Sequence, residues 1–241
     1  MKSYTKYSFI LLVSSLIFAP ILLKAQSEKD LSGAWQSQDG DKKTVLIFQD
    51  YYFTQSIYTA DEYIMSFGGT YTLQKGAIDI NIEFNSANSD EVRTQVLAGI
   101  LFKGKELQVT LNNKTAIFQR IDNGEAPLAG VWHITDRMEN GKIVPIMRIG
   151  TRKTLKVLTG TRFQWFAIDP IAKSFLGTGG GTYSFVNGKY TENIEFFSRN
   201  NSRVGAKLTF DGTLKDGKWH HSGLSSKGDK IYELWSRSRV E

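Results

Sequence analysis

From residue 32 to 121 apolar side chains fall at alternate positions or in short β-branched runs, over 32–38, 43–49, 52–59, 63–74, 77–85, 94–103, 106–112 and 115–121. A period of two marks a strand with one buried face, so the pattern predicts eight short strands. Turn residues separate them. Gln74-Lys-Gly76, Phe102-Lys-Gly-Lys105 and Leu111-Asn-Asn113 supply the positive-φ positions that tight hairpins need. The plan repeats further along, punctuated by Val186-Asn-Gly188, Asp211-Gly212, Asp216-Gly217 and Lys227-Gly228. No long amphipathic helix pattern interrupts either set. Such strands close naturally into up-and-down antiparallel barrels, because closure removes exposed sheet edges. Two longer segments, 140–150 and 170–176, are each expected to hold a short helix or a lid.

The second half is a copy of the first. Leu31-Ser-Gly-Ala-Trp35 recurs as Leu128-Ala-Gly-Val-Trp132, and Ile117-Phe-Gln-Arg120 recurs as Leu234-Trp-Ser-Arg237. Gly68 to Ser86 aligns without gaps on Gly180 to Ser198, with ten of nineteen positions identical, where unrelated sequences share about one or two. The offset grows from 97 to 112 to 117, so the second copy carries insertions. A turn-rich joint, Asp122-Asn-Gly-Glu-Ala-Pro127, connects the copies. The expected fold is all-β, with two tandem up-and-down barrels over 26–123 and 124–241.

Gly33, Trp35 and Arg120 in copy one, and Gly130, Trp132 and Arg237 in copy two, form a Gly-x-Trp on the first strand and an Arg on the last. This pattern resembles the signature of lipocalin-like (calycin) barrels, and nearly all of the chain after residue 25 is similar, as two copies, to duplicated lipocalin-like secreted bacterial proteins. The resemblance implies that each arginine lies across its tryptophan and closes one barrel end, a structural role. It also implies a binding function for a small, partly hydrophobic molecule. Copy one is short for such a barrel.

Ahead of copy one, Lys2 and Lys6 precede an uncharged run from Tyr7 to Leu23, followed by Lys24, Ala25 and Gln26. These features read as a signal peptide over 1–25 with cleavage after Ala25, and the run is short for a membrane span. The chain has no cysteine, which removes disulfides, thiolate metal sites, thiol catalysis and a lipid-anchored terminus. The expectation is an exported, periplasmic or secreted protein with no membrane span after cleavage. Charge divides unevenly: 9 basic against 13 acidic residues over 26–123, and 18 against 11 over 124–241. The basic residues of copy two are scattered, so a polarised surface is the simpler reading and nucleic acid is not an expected partner.

Strand parity selects the candidate chemistry. In copy one Ile78, Ile80, Ile82 and Phe84 share a face and are expected to point inward; the aligned set in copy two is Tyr190, Glu192, Ile194 and Phe196. Glu192 therefore stands where copy one has Ile80. A carboxylate inside a barrel must be paired, protonated or wetted. It either grips a polar or cationic ligand group, or pairs with a nearby Arg, His or Tyr, or sits near the mouth. Trp165, Tyr190 and Trp235 are the aromatics expected to line a cavity beside it. His220 and His221 are adjacent, so only one looks inward; His220 is taken as the candidate ligand residue. Glu83 and Glu195 share an outward parity that requires no function. Glu192 and Glu233 could in principle form a carboxylate pair, or join a histidine on a metal.

Gly177-Thr-Gly-Gly-Gly181 leads into a strand and lacks a following Lys-Ser/Thr, so it reads as a bend in the barrel and not as a phosphate loop. There is neither a Gly-x-Ser-x-Gly elbow nor a His-Glu-x-x-His. No catalytic residue, metal site or cofactor is expected. The sequence thus points to a non-enzymatic carrier of a small hydrophobic or amphipathic molecule in the second barrel. The competing reading is an interaction module with filled barrels, gripping a protein, glycan or envelope surface.

Overall fold

A computed structural model of the chain describes residues 27–147, 150–225 and 228–238. The expected signal peptide lies outside these residues. Two closed eight-stranded antiparallel barrels stand in tandem, consistent with a duplicated lipocalin-like fold.

A single helical turn, α1 (Glu28–Leu31), opens the first barrel. Its strands are β1 (Gly33–Asp39), β2 (Lys42–Gln49), β3 (Tyr52–Tyr58), β4 (Tyr63–Gln74), β5 (Ala77–Asn85), β6 (Gln95–Lys103), β7 (Glu106–Leu111) and β8 (Lys114–Asp122). They pair in chain order and β8 returns to β1. The second barrel uses β9 (Gly130–Glu139), β10 (Lys142–Pro145), β11 (Lys153–Leu158), β12 (Arg162–Asp169), β13 (Ser174–Val186), β14 (Lys189–Phe197), β15 (Lys207–Lys215), β16 (Lys218–Leu224) and β17 (Lys230–Arg237). β17 closes on β9. β10 and β11 share the other edge of β9, pairing with Asp136–Glu139 and with Gly130–His133 respectively. The expected helix or lid at 140–150 is therefore a hairpin: its described residues include β10, which splits the counterpart of β2 into two pieces. The segment at 170–176 is likewise a turn running into β13.

One end of each barrel is plugged identically. Trp35 Nε1 donates to the Leu31 carbonyl at 2.9 Å, and Trp132 Nε1 to that of Leu128 at 2.8 Å. The Arg120 guanidinium lies 3.9 Å from the centre of the Trp35 ring, and Arg237 lies 4.4 Å from that of Trp132. Arg120 donates to the Ser32 and Asp30 carbonyls, Arg237 to those of Ala129 and Pro127. Each arginine thus combines a cation–π contact with bonds to the carbonyls of the chain entering the barrel. The motif glycine makes this closure possible. Gly33 sits at φ +109°, where a side chain would come within 2.2 Å of the Asp122 carbonyl oxygen.

The fifth strand of each barrel carries a bulge. Gly68 pairs with Phe84 but Gly69 with Ile82, leaving Glu83 unmatched; Gly180 pairs with Phe196 and Gly181 with Ile194, leaving Glu195 unmatched. A β-carbon on Gly69 would meet the Asn81 carbonyl oxygen at 1.9 Å, so the bulge requires glycine there. One extra residue reverses the facing of everything beyond it. Ile78, Ile80 and Ile82 accordingly point into the barrel, whereas Phe84 and Phe196, expected inward, point out.

Those two rings build the contact between barrels. Phe84 stacks on Phe166 at 4.7 Å, and Phe196 packs on Tyr58 at 4.8 Å. Val45, Ile47, Val131, Leu155 and Val157 fill the same buried cluster. Glu83 accepts from Tyr52 Oη at 2.6 Å and from Lys153 Nζ at 2.8 Å. Its counterpart Glu195 accepts from Arg162 at 2.7 Å, Tyr58 Oη at 2.7 Å and Lys43 Nζ at 3.3 Å. Leu46 faces Trp35 on β1 as Lys156 faces Trp132 on β9, so Lys43 and Lys153 are also counterparts. Each barrel hands a lysine to the other's bulge glutamate, the arrangement of an isologous twofold contact. The joint is fixed as well: the Asp122 carboxylate accepts from the backbone N–H groups of Gly124, Gly160 and Thr161 and from the hydroxyls of Thr159 and Thr161.

Gly69→Ala is expected to lower the unfolding free energy by about 1–3 kcal/mol, read by urea denaturation; an unchanged midpoint would remove the steric account of the bulge. Burial pushes the Glu195 carboxyl up, but Arg162, Tyr58 and Lys43 outweigh it and hold the group below the ordinary glutamate value of 4.5. Its stabilising contribution is therefore present above that value and lost as the pH falls through the folded one. Thermal melts from pH 6 to pH 3 are expected to show a steeper acid loss for the natural chain than for Glu195→Gln.

Candidate functional site

The interiors of the two barrels differ in chemistry. In the first, a cavity of about 310 Å³ is walled by Leu46, Phe53, Phe67, Ile78, Ile80, Ala98, Val109, Ala116 and Phe118. Gln55, Asn112 and Lys114 add polar groups, the last two from the β7–β8 turn. The volume is about twice that of an apolar cavity known to admit benzene, and apolar walls with a few polar groups are the usual composition of a small-molecule site.

In the second barrel the corresponding positions are polar. Lys156 replaces Leu46 by its place opposite the β-strand tryptophan. Tyr190 and Glu192 replace Ile78 and Ile80 by the repeat alignment. The β6–β7 and β15–β16 hairpins superpose Leu107 on Trp219 and Val109 on His221; their partners on the last strand, Phe118 and Ala116, then match Trp235 and Glu233. Lys156 Nζ lies 2.8 Å from Glu192 Oε1, which also accepts from Tyr190 Oη at 2.9 Å. Both members of the ion pair are buried, at 6% and 5% exposure. The ammonium lies 5.2–5.3 Å from the ring centres of Tyr190, Trp219 and Trp235. Trp235 Nε1 donates to Glu233 Oε2 at 3.0 Å. His221 Nδ1 stands 3.3 Å from the same oxygen, without the geometry of a hydrogen bond.

Burial is the main cause that depresses the His221 imidazole below its ordinary value; Glu233 opposes it and Lys156 adds to it. Burial favours the protonated form of Glu233, yet His221, Lys156 and Trp235 outweigh it and hold the carboxyl below its ordinary value. The Tyr190 phenol is pushed far up, first by burial and then by Glu192.

Among the residues singled out in the sequence, Glu192, Tyr190 and Trp235 come together around Lys156. Trp165 also points inward, beside Phe197 at 5.4 Å. His220 does not join them: it lies on the opposite face of β16 from Trp219 and His221 and contacts Tyr232 Oη at 2.8 Å. The inward histidine is His221, 3% exposed. Gly33, Trp35, Arg120, Gly130, Trp132 and Arg237 form the two plugs. Among the described residues no group of three His, Asp or Glu is placed to hold a metal ion. Lys156 is the member of this cluster that the sequence reading passes over. Its signal is a charge within Thr154-Leu-Lys-Val-Leu158, but both faces of that strand are buried, Leu155 and Val157 against the other barrel and Lys156 and Leu158 inside, so no alternation marks the lysine as inward.

Fold and interiors together define a protein of two tandem eight-stranded antiparallel barrels, consistent with a duplicated lipocalin-like fold, with one apolar and one charged interior. No family model matches the chain, and no curated protein is significantly similar to it.

Glu192→Leu and Lys156→Leu are each expected to cost about 3–5 kcal/mol, since each leaves a buried charge without its partner. The combined Lys156→Leu, Tyr190→Phe and Glu192→Ile variant, close to the composition of the first barrel, is expected to regain most of that loss. Chemical denaturation of the variants checks both; additive losses would show that the pair is not a unit.

Proposed function

We propose that the protein is an exported, non-enzymatic binding protein that holds a small, partly hydrophobic molecule inside the first barrel. The observation that carries this reading is the apolar cavity of about 310 Å³ with Gln55, Asn112 and Lys114 among its lining. The apolar part of the ligand occupies the chamber between Leu46, Ile80 and Phe118, and a polar or anionic head meets the β7–β8 turn. The second barrel is the less suitable container for such a molecule, because Glu192, the group expected to orient it, is already engaged by Lys156 and Tyr190. In this reading residues 1–25 are a signal peptide, and 26–123 and 124–241 are the two barrel units.

Native mass spectrometry of the chain purified gently from exporting cells tests both parts. The expected spectrum begins at Gln26 and carries an extra mass that leaves on denaturation. Ala98→Phe, which fills the cavity from β6, is expected to lose that mass while keeping the natural unfolding midpoint to within a few degrees. Retention of the mass by Ala98→Phe would place the ligand elsewhere, and a polypeptide still carrying residues 1–25 would overturn the export reading.

A further inference from the structure

Two side chains on strands that line the first barrel's cavity, Gln55 and Lys114, interrupt its apolar wall, and the fold requires neither. Gln55 pairs across the sheet with Leu46 as Trp165 pairs with Lys156 in the second barrel. Lys114 pairs with Leu111 as Ile231 pairs with Gly223. The second barrel therefore closes with Trp165 and Ile231 at these two positions, both packed against its core. Along β8 the inward row runs from buried Phe118 to exposed Ala116 and exposed Lys114, so the chamber opens to solvent there and Lys114 stands at its mouth. Gln55 is half-buried on β3, three strands away round the closed ladder. Among the described residues neither side chain has a hydrogen-bond or ion-pair partner.

Charge and unfilled bonds restrict the guest. Lys114 is the only ionisable side chain in the lining, so a cationic head would meet its own sign, whereas a carboxylate gains a charge-assisted bond. One ammonium balances a single negative charge; a phosphate monoester would bring nearly two. Asn112, in the same β7–β8 turn, adds an amide. Gln55 sets the second condition. A pure hydrocarbon lying over its amide displaces water and offers no bond in return, which costs about as much as a lost hydrogen bond. An oxygen on the guest's chain restores that bond. Size follows from the volume: about 310 Å³ is roughly two benzene-sized cavities, or about a dozen carbon-sized atoms.

We propose that the first barrel selects a medium-length monocarboxylate that carries a hydroxyl or keto oxygen on its chain, the carboxylate received by Lys114 at the mouth and the chain oxygen by Gln55 on β3. This inference rests on the function proposed above, and adds to it the class of ligand and the two residues that select it. A plain alkyl carboxylate meets only the first condition, and an alkyl diol only the second.

Isothermal titration calorimetry of the chain from Gln26 at neutral pH tests this with matched probes. Sodium 3-hydroxydecanoate and 10-hydroxydecanoate place the hydroxyl near to and far from the head; sodium decanoate lacks it, and 1,10-decanediol lacks the carboxylate. The better hydroxy acid is expected to bind about threefold or more tighter than decanoate, and about tenfold or more tighter than the diol, the contributions of a neutral and a charged hydrogen bond. Lys114→Met is expected to erase the preference for acid over diol. Gln55→Leu is expected to erase the preference for hydroxy acid over decanoate, and both variants to keep a thermal midpoint within a few degrees of the natural one. On the natural chain alone, decanoate binding as tightly as both hydroxy acids overturns the chain oxygen, and the diol binding as tightly as 10-hydroxydecanoate overturns the acidic head. In either case loss of binding in Ala98→Phe shows that the cavity is still the container. Binding by none of the four probes, or binding that Ala98→Phe leaves intact, overturns this inference together with the function it rests on.

Discussion

The extra residue in the fifth strand of each barrel is the constraint on which the two-barrel molecule depends. It fits only because Gly69 and Gly181 let the strand pass within contact of the carbonyls of Asn81 and Asn193. Without the bulge Phe84 and Phe196 would enter barrels that are already filled at that level by Ile82 and Ile194, and the outer surfaces would lose their largest apolar groups. With it, one aromatic ring and one carboxylate emerge side by side on each barrel. A glutamate on the rim of an apolar patch needs a donor, and each finds a lysine on the other barrel. Local backbone geometry thereby sets the relative placement of two barrels whose closest chain connection is a short joint.

The distribution of identity within the repeat follows the same logic. Asn-Ile-Glu-Phe occurs at 81–84 and again at 193–196, together with the paired glycines. These residues serve the bulge and the contact, which both copies must share. The interior is under no such restriction, since the plug of Trp and Arg at one end and the closed ladder of strands define the barrel whatever fills its middle. One chamber stays apolar and keeps a cavity, while the other is occupied by an ion pair, three large rings and a buried histidine.

The strand pattern of copy one was legible almost residue by residue, because most of its strands have one wet and one dry face. The repeat revealed the second barrel despite its insertions, and the glycine-rich run before Thr182 was readable as a bend. Parity was followed correctly up to Ile82 and Ile194 and failed beyond them, because nothing in a single sequence marks where a bulge inserts. That failure hid the contact between barrels and made Glu83 and Glu195 look idle. It also bears on the candidate site. Glu192 stood out by comparison with Ile80, but Lys156 lies in a strand whose two faces are both buried, where the alternation that identifies an inward residue is absent. His220 and His221 could be separated only once the register of β16 against β17 was known.

The isologous contact has a consequence for how such a molecule can change. Two identical chains meeting across a twofold axis must accept every substitution twice, so a charge placed in one interior appears in the other. Joining the halves by a tether anchored at Asp122 releases that restriction. One half can keep a greasy chamber while its twin becomes ionic, and the face between them still reads as though the halves were the same.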